Sequence, residues 1–106
     1  MINFNYKGTD YTLEFTRATA KAAEKAGLSM NEDSIDKMPI TSIELLYVYA
    51  FKAHHSGISA EKAIEICKDI KDKDKFIIAL VNEFSKPLVA MTEEPDEGNA
   101  IAWTTE

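Results

Sequence analysis

The chain has 106 residues, 45% of them hydrophobic, which is enough for one domain with its own core. Cys67 is the only cysteine, so an intramolecular disulfide and a multi-cysteine metal site are excluded and a reducing compartment is expected. The net charge is −6, and a single arginine with scattered lysines does not form the cationic surface that nucleic-acid binding requires.

No segment approaches the ~20 consecutive apolar residues of a membrane span. The first residues, MINFNYKG, also lack the basic and apolar regions of a secretory signal. We therefore expect a cytoplasmic protein that does not bind membranes.

The first predicted element is a β-hairpin over residues 2–16. Apolar side chains alternate with polar ones before and after Lys7-Gly8, which is typical of two strands with one apolar face. A two-residue loop pairs Phe4 with Tyr11, and a four-residue loop keeps the apolar face together equally well. A three-residue loop would turn one strand over and split that face, so we predict a loop of even length.

Four helices are predicted after the hairpin, from apolar residues at helical spacing and from capping residues. We expect Thr16 to cap the first helix, Gly27 to end it and Ser59 to cap the third helix. Pro87 is expected to end or kink the last helix, because proline has no amide hydrogen to donate. The predicted helices cover residues 17–26, 41–55, 60–71 and 74–85.

Two segments are predicted to lack regular structure. Residues 28–40 are mostly polar and are expected to form a loop. Residues 92–106 contain five acidic residues and no basic ones, and we expect them to form a disordered acidic tail. Residues 1–91 are then predicted to form a single globular domain of the α+β class, with the hairpin packed on a mainly helical bundle.

No arrangement of residues indicates catalysis, a cofactor or a metal. His54 and His55 are adjacent, and neighbouring side chains on a helix point about 100° apart, so they cannot bind one ion as an i, i+4 pair could. Cys67 lies on an apolar helical stripe without a predicted base beside it, which favours a structural role. The sequence therefore predicts no enzyme, no cofactor and no metal site.

Protein binding is the function that the apolar residues favour. The helix at 41–55 is apolar nearly all round, and so short a chain has difficulty in covering it completely. We therefore predict that Tyr47, Tyr49 and Phe51 contact a partner protein. Trp103, in the acidic tail, either anchors the tail to a partner or folds back onto its own domain.

Five stretches, taken in order, resemble a known family. They are YKGTDYTLEFTRAT (6–19), AAEKAGL (22–28), MPITSIELLYVYAFKAHHSGIS (38–59), NEFSKPLVAM (82–91) and EEPDEGNAIAW (93–103). The set is similar to the small tail-assembly chaperones of long-tailed phages and prophages of Gram-positive bacteria. The resemblance covers nearly the whole chain, and none of its motifs is catalytic.

The resemblance implies a non-catalytic chaperone that binds the tape-measure and tail-tube proteins during tail assembly. Many such chaperones are also made in a longer form by ribosomal frameshifting. A homo-oligomer is expected as well, since an open hairpin edge can pair with a strand of a neighbour. The alternative functions are a regulatory or inhibitor protein that acts through its acidic tail, and an enzyme that uses His54 or His55.

Overall fold

The computed structural model describes residues 1–28, 39–92, 98 and 100–105. Within these ranges a two-stranded antiparallel hairpin precedes four helices, which confirms the predicted α+β class. The elements are β1 (Ile2–Tyr6), β2 (Thr9–Leu13), α1 (Arg17–Lys25), α2 (Ile40–Lys52), α3 (Ala60–Lys68) and α4 (Lys73–Thr92).

Parts of the two segments predicted without regular structure lie outside the described residues. These parts are residues 29–38 of the predicted loop and residues 93–97, 99 and 106 of the predicted tail. In the portion of the chain that is described, no helix has both the length and the apolar character needed to cross a membrane.

The hairpin has the register of a two-residue loop. β1 and β2 pair Phe4 with Tyr11, as predicted for a loop at Lys7-Gly8. Both loop residues have positive φ, 49° at Lys7 and 87° at Gly8, as a type I′ turn requires. Glycine takes this conformation freely, whereas Lys7 takes it against the steric preference of a residue with a Cβ atom.

The apolar face of the hairpin packs on α2. The rings of Phe4 and Tyr11 meet Phe51 edge-on, with centroid distances of 6.4 and 5.6 Å. Just after β2, the amide of Glu14 donates a hydrogen bond to the carbonyl of Ala50 at 3.1 Å. α2 thus supplies the apolar surface that a two-stranded hairpin needs in order to be stable.

α1 is bounded by the two capping residues that the sequence predicts. Thr16 Oγ1 accepts a hydrogen bond from the amide of Thr19, and Thr19 Oγ1 accepts one from the amide of Thr16. At the other end Gly27 has a φ of 114°, and the amide of Leu28 donates to the carbonyl of Ala23 at 2.9 Å. This left-handed cap turns Leu28 back into the core, where it is buried.

α2 is the central helix of the domain. It contacts β2, α1, α3 and α4, and side chains are therefore buried on most of its circumference. It begins directly after Pro39 and ends at Lys52, before the two histidines that the sequence prediction includes. The buried side chains of α2 are Ser42, Leu46, Tyr47, Val48, Ala50 and Phe51.

α3 is shorter than predicted and is followed closely by α4. Ser59 caps α3 as predicted, because its Oγ accepts a hydrogen bond from the amide of Lys62 at 3.1 Å. α3 ends at Lys68 and not at residue 71. Asp72 then has a positive φ of 56°, which a right-handed helix cannot accommodate, so the two helices remain separate.

α4 is longer than predicted at its C-terminus. The sequence predicts an end at residue 85, but the helix continues through Pro87 to Thr92. Inside a helix, proline removes the hydrogen bond to the carbonyl four residues earlier, here that of Glu83, and its ring crowds that carbonyl. The helical turn after Pro87 forms nevertheless. In that turn Thr92 Oγ1 donates to the carbonyl of Leu88 at 3.1 Å.

Candidate protein-binding surface

Two neighbouring rows of side chains run along α4. Phe76, Leu80 and Glu83 form one row at spacings of four and three residues, and all three are buried. The other row is offset by one residue and keeps the alternating spacing of a coiled-coil seam along its whole length. We call it the α4 apolar row, and it consists of Ile77, Val81, Phe84, Leu88 and Met91.

The α4 apolar row becomes exposed towards the C-terminus of the helix. Its first three residues are half-buried against the core, whereas Leu88 and Met91 are each 63% exposed. Val89 beside them is 51% exposed. The row therefore packs on the domain and then continues without a partner among the described residues, which marks it as a candidate contact surface.

The exposed end of the row lines a groove between α1 and α4, with a volume of about 270 Å³. Phe84 is positioned there by Phe15, whose ring meets it edge-on at a centroid distance of 5.2 Å. We call this site the α1–α4 groove. Its apolar residues are Ala20, Phe84, Pro87, Leu88 and Met91, and its charged residues are Arg17, Lys21 and Glu24.

The charged residues of the α1–α4 groove give it a positive side. Arg17 and Lys21 lie one turn apart on α1, and both are exposed. In the described parts of the chain, neither cation forms an ion pair with a carboxylate. Glu24 is the single acidic residue among the described residues that line the groove, so the groove favours a partner that combines an apolar side chain with negative charge.

Glu83 ties the start of the chain to α4 beside the groove. Its carboxylate accepts hydrogen bonds from Lys86 Nζ at 2.8 Å and from the N-terminal ammonium of Met1 at 2.7 Å. The Glu83 side chain is only 8% exposed. Burial acts to raise the pKa of Glu83, but the hydrogen bonds from Lys86 and Met1 outweigh burial and hold the pKa below its ordinary value.

Two of the residues predicted to contact a partner lie in the core. Phe51 is fully buried, and Tyr47 is 7% exposed, with its ring 6.1 Å from that of Phe76. This corrects the prediction for both residues: the hairpin and the other helices surround α2, so neither side chain can reach a partner. Tyr49 is half-buried against the core, and its role as a contact residue stays a prediction.

Trp103 lies on the surface. Its side chain is 78% exposed and that of Ile101 is 89% exposed, so in this conformation the tryptophan does not fold back onto its own domain. Its role as an anchor for a partner stays a prediction. The two large side chains alternate with Ala100 and Ala102.

The histidines and the cysteine make contacts within the fold. His54 Nε2 lies 2.6 Å from Glu14 Oε1, and His55 Nε2 accepts a hydrogen bond from the amide of Thr12 at 3.1 Å. Burial raises the pKa of the Cys67 thiol to about 12, so it forms almost no thiolate at neutral pH. Nowhere in the described ranges do three His, Cys, Asp or Glu side chains converge as metal ligands would.

Comparison with known proteins assigns the chain to a family. Residues 1–106 match the family model described as Domain of unknown function (DUF5055). The chain belongs to this family. No curated protein and no solved structure matches it.

Sequence reasoning misses the α1–α4 groove of the DUF5055 chain because it ends the last helix before Pro87. A signal is present nevertheless: Phe84, Leu88 and Met91 keep their spacing across the proline. A helix extended on that spacing would have placed Leu88 and Met91 in the apolar row, beyond the residues of the row that pack on the core.

Proposed function

We propose that the chain is a non-catalytic tail-assembly chaperone of phages or prophages of Gram-positive bacteria. It acts in the cytoplasm of the host cell and binds tape-measure and tail-tube proteins through the α1–α4 groove. The observation that carries the binding role is the exposure of Leu88 and Met91, at 63% each, where the α4 apolar row passes beyond the core. The tail-assembly role follows from the ordered resemblance of the sequence to such chaperones.

The groove suits an apolar side chain presented by an extended or helical client segment. Recognition of an amphipathic helix or a linear motif uses a few apolar anchors that enter a preformed groove. Leu88, Met91 and Phe84 offer apolar surface for such an anchor. Arg17 and Lys21 can attract acidic residues that flank it, since opposite charges across an interface speed association and fix orientation.

The expected contact is weak, as a chaperone that releases its client requires. Full burial of a leucine or methionine side chain contributes about 1.5–3 kcal/mol, and Leu88 and Met91 are already partly covered. Their further burial contributes roughly 2–4 kcal/mol, from which the cost of association is still to be subtracted. Several copies along one long client would each cover a separate apolar segment of it, while each contact stays reversible.

The test is co-expression of the tagged full chain with the tape-measure protein and the tail-tube protein encoded by the same tail gene cluster. We expect the wild type to retain the tape-measure protein on affinity purification. The double variant Leu88→Glu/Met91→Glu should retain at least tenfold less, because it places two carboxylates at the exposed end of the apolar row. Both side chains are largely exposed in the free protein, so the variant should stay folded.

Ile40→Glu is the matched control, since Ile40 is an apolar residue that is 76% exposed and does not line the groove. It should capture both proteins as the wild type does. The proposal fails if the wild type captures neither protein, or if the groove variant captures them as well as the control does.

The exposure of Trp103 favours a second candidate function, a regulatory or inhibitor protein that acts through its acidic tail. That function requires the tail and not the groove. Trp103→Ser would then abolish target binding while Leu88→Glu/Met91→Glu leaves it intact, the reverse of the order expected for the chaperone.

A further inference from the structure

We propose that the α1–α4 groove of one copy binds residues 100–103 of a second copy, so that copies join head to tail. This rests on the proposed function in taking the groove as the site that binds the client. It adds a specific occupant, and with it a mode of self-association that competes with the client.

The apolar chemistry of the two surfaces matches. Ile101 and Trp103 are 89% and 78% exposed, and in an extended segment residues two apart point to the same side. One segment therefore presents an aliphatic and an aromatic anchor together. Tryptophan is among the residues that dominate binding when a pocket buries them, and the groove offers about 270 Å³ lined by Phe84, Leu88 and Met91.

The charges of the two surfaces match as well. Residues 92–106 carry five acidic side chains and no basic one, and this segment contains both anchors. Arg17 and Lys21 on the α1 side of the groove form no ion pair within the described ranges. Attraction between such exposed charges is screened by salt, so the contact should weaken as the ionic strength rises.

The occupant is a second copy because the two surfaces do not meet within one chain. Trp103 is largely exposed, and none of the described residues 98 and 100–105 lines the chain's own groove. Each copy thus carries one open groove and one open anchor segment. A contact between two different surfaces of the same protein is heterologous, and it adds copies in a row or closes them into a ring.

A client and the anchor segment of a neighbour would then occupy the same groove in turn. In the absence of a client the anchor segment covers the exposed end of the α4 apolar row. When the tape-measure protein binds, it displaces the neighbour's segment. Self-association should therefore decrease as the client is added.

The experiment combines two variants of the full chain, each with one surface disabled. The groove variant Leu88→Glu/Met91→Glu keeps its anchor segment, and the tail variant Ile101→Ser/Trp103→Ser keeps its groove. Sedimentation velocity at low salt should show a wild-type mass that rises with concentration, while each variant alone stays monomeric. A mixture of the two should form a 1:1 dimer and nothing larger, because only one productive contact remains.

The single tryptophan supplies an independent signal, because burial in the groove shifts its emission to shorter wavelength. We expect this shift in the wild type to increase with concentration and to diminish when the salt is raised from about 50 mM to about 500 mM. Far-UV circular dichroism establishes that both variants are folded.

Three outcomes would overturn the inference: a wild type that stays monomeric at all concentrations, a mixture of folded variants that forms no dimer, or an emission shift independent of concentration. The last outcome would mean that the segment docks within its own chain. A monomeric wild type that still captures the tape-measure protein defeats this inference and leaves the proposed function standing. Head-to-tail association without capture of either phage protein supports this inference and defeats the proposed function.

Discussion

The backbone amide of Thr12 in β2 donates a hydrogen bond to Nε2 of His55, at a distance of 3.1 Å. Together with the bond from the amide of Glu14 to the carbonyl of Ala50, it places the end of α2 along the outer edge of β2. Strand addition by a neighbour, which the sequence suggests for the hairpin, is therefore blocked on β2 and restricted to β1.

Replacement of His55 by phenylalanine should loosen this edge. In the wild type the ring centroids of His55 and Tyr11 are 5.1 Å apart. His55→Phe keeps an aromatic ring beside Tyr11 but removes the acceptor for the Thr12 amide. An unsatisfied amide costs about 1–3 kcal/mol when buried, and Thr12 is only half-buried, so we expect a loss of about 1 kcal/mol. Faster hydrogen exchange at the Thr12 amide, followed by NMR, would locate the effect.

The matched control is His54→Phe on the neighbouring residue. His54 is exposed, and its ring pairs with the carboxylate of Glu14 near the surface, a kind of pair that contributes little to stability. Exchange at Thr12 should stay unchanged in this variant. Equal acceleration in both variants would contradict the specific role of His55.

Phe51 should act as a core residue and not as a contact residue. Phe51→Ala removes a side chain with no exposed surface, so it should lower the free energy of unfolding by about 3–5 kcal/mol. Urea denaturation measures this loss. Ile78→Ala on α4 is the control, since Ile78 is 47% exposed and its truncation should cost less than about 1 kcal/mol.

Much of the fold could be predicted because its signals are local. The alternation around Lys7-Gly8 determines the hairpin register, and Thr16, Gly27 and Ser59 bound helices through contacts a few residues away. The faces of α2 could not be predicted in this way. That helix is apolar nearly all round, and the positions of the surrounding elements decide which of its apolar residues are buried.

Glu83 should make the free energy of unfolding depend on pH. Its folded-state pKa is lowered, so its contribution is present above the ordinary glutamate value of 4.5 and is lost as the pH falls through the lowered pKa. Glu83→Gln should therefore be less stable than the wild type at pH 7, and the difference should shrink at a pH well below 4.5. Urea midpoints at the two pH values measure it.

The control for this prediction is Glu65→Gln, on the exposed face of α3. This variant removes a carboxylate that forms no ion pair in the described ranges. Its free energy of unfolding should therefore differ little from that of the wild type at both pH values. A Glu83→Gln difference that stays constant with pH would show that the carboxylate charge is not what stabilises this site.

Pro87→Ala should stabilise the end of α4. Proline inside a helix is about 3 kcal/mol less favourable than alanine, and alanine restores the amide that can donate to the carbonyl of Glu83. We expect a gain of about 1–3 kcal/mol, measured by urea denaturation with circular dichroism. Pro39→Ala is the control, because Pro39 precedes α2 and interrupts no helical bond there. A loss of stability in Pro87→Ala would mean that ring packing beside Phe84 outweighs the missing bond.

Pro87 also explains why the candidate site could be predicted only in part. Trp103 could be predicted as a contact residue because it is an aromatic residue in an acidic segment. The α1–α4 groove could not be predicted, because it forms only where α4 continues past Pro87 and lies beside α1. The sequence also does not show which alanines of α1 are buried. Ala20 is buried, whereas Ala18 and Ala26 of the same alanine-rich stretch are exposed.

The burial of Cys67 has a practical consequence for spectroscopy. The chain has no other thiol, and this one is fully enclosed and stays protonated at neutral pH. A maleimide dye added to the folded wild type should therefore not react with Cys67. A cysteine introduced at an exposed position, such as Glu65→Cys, would become the sole attachment point for a fluorophore or spin label, without first removing the native one.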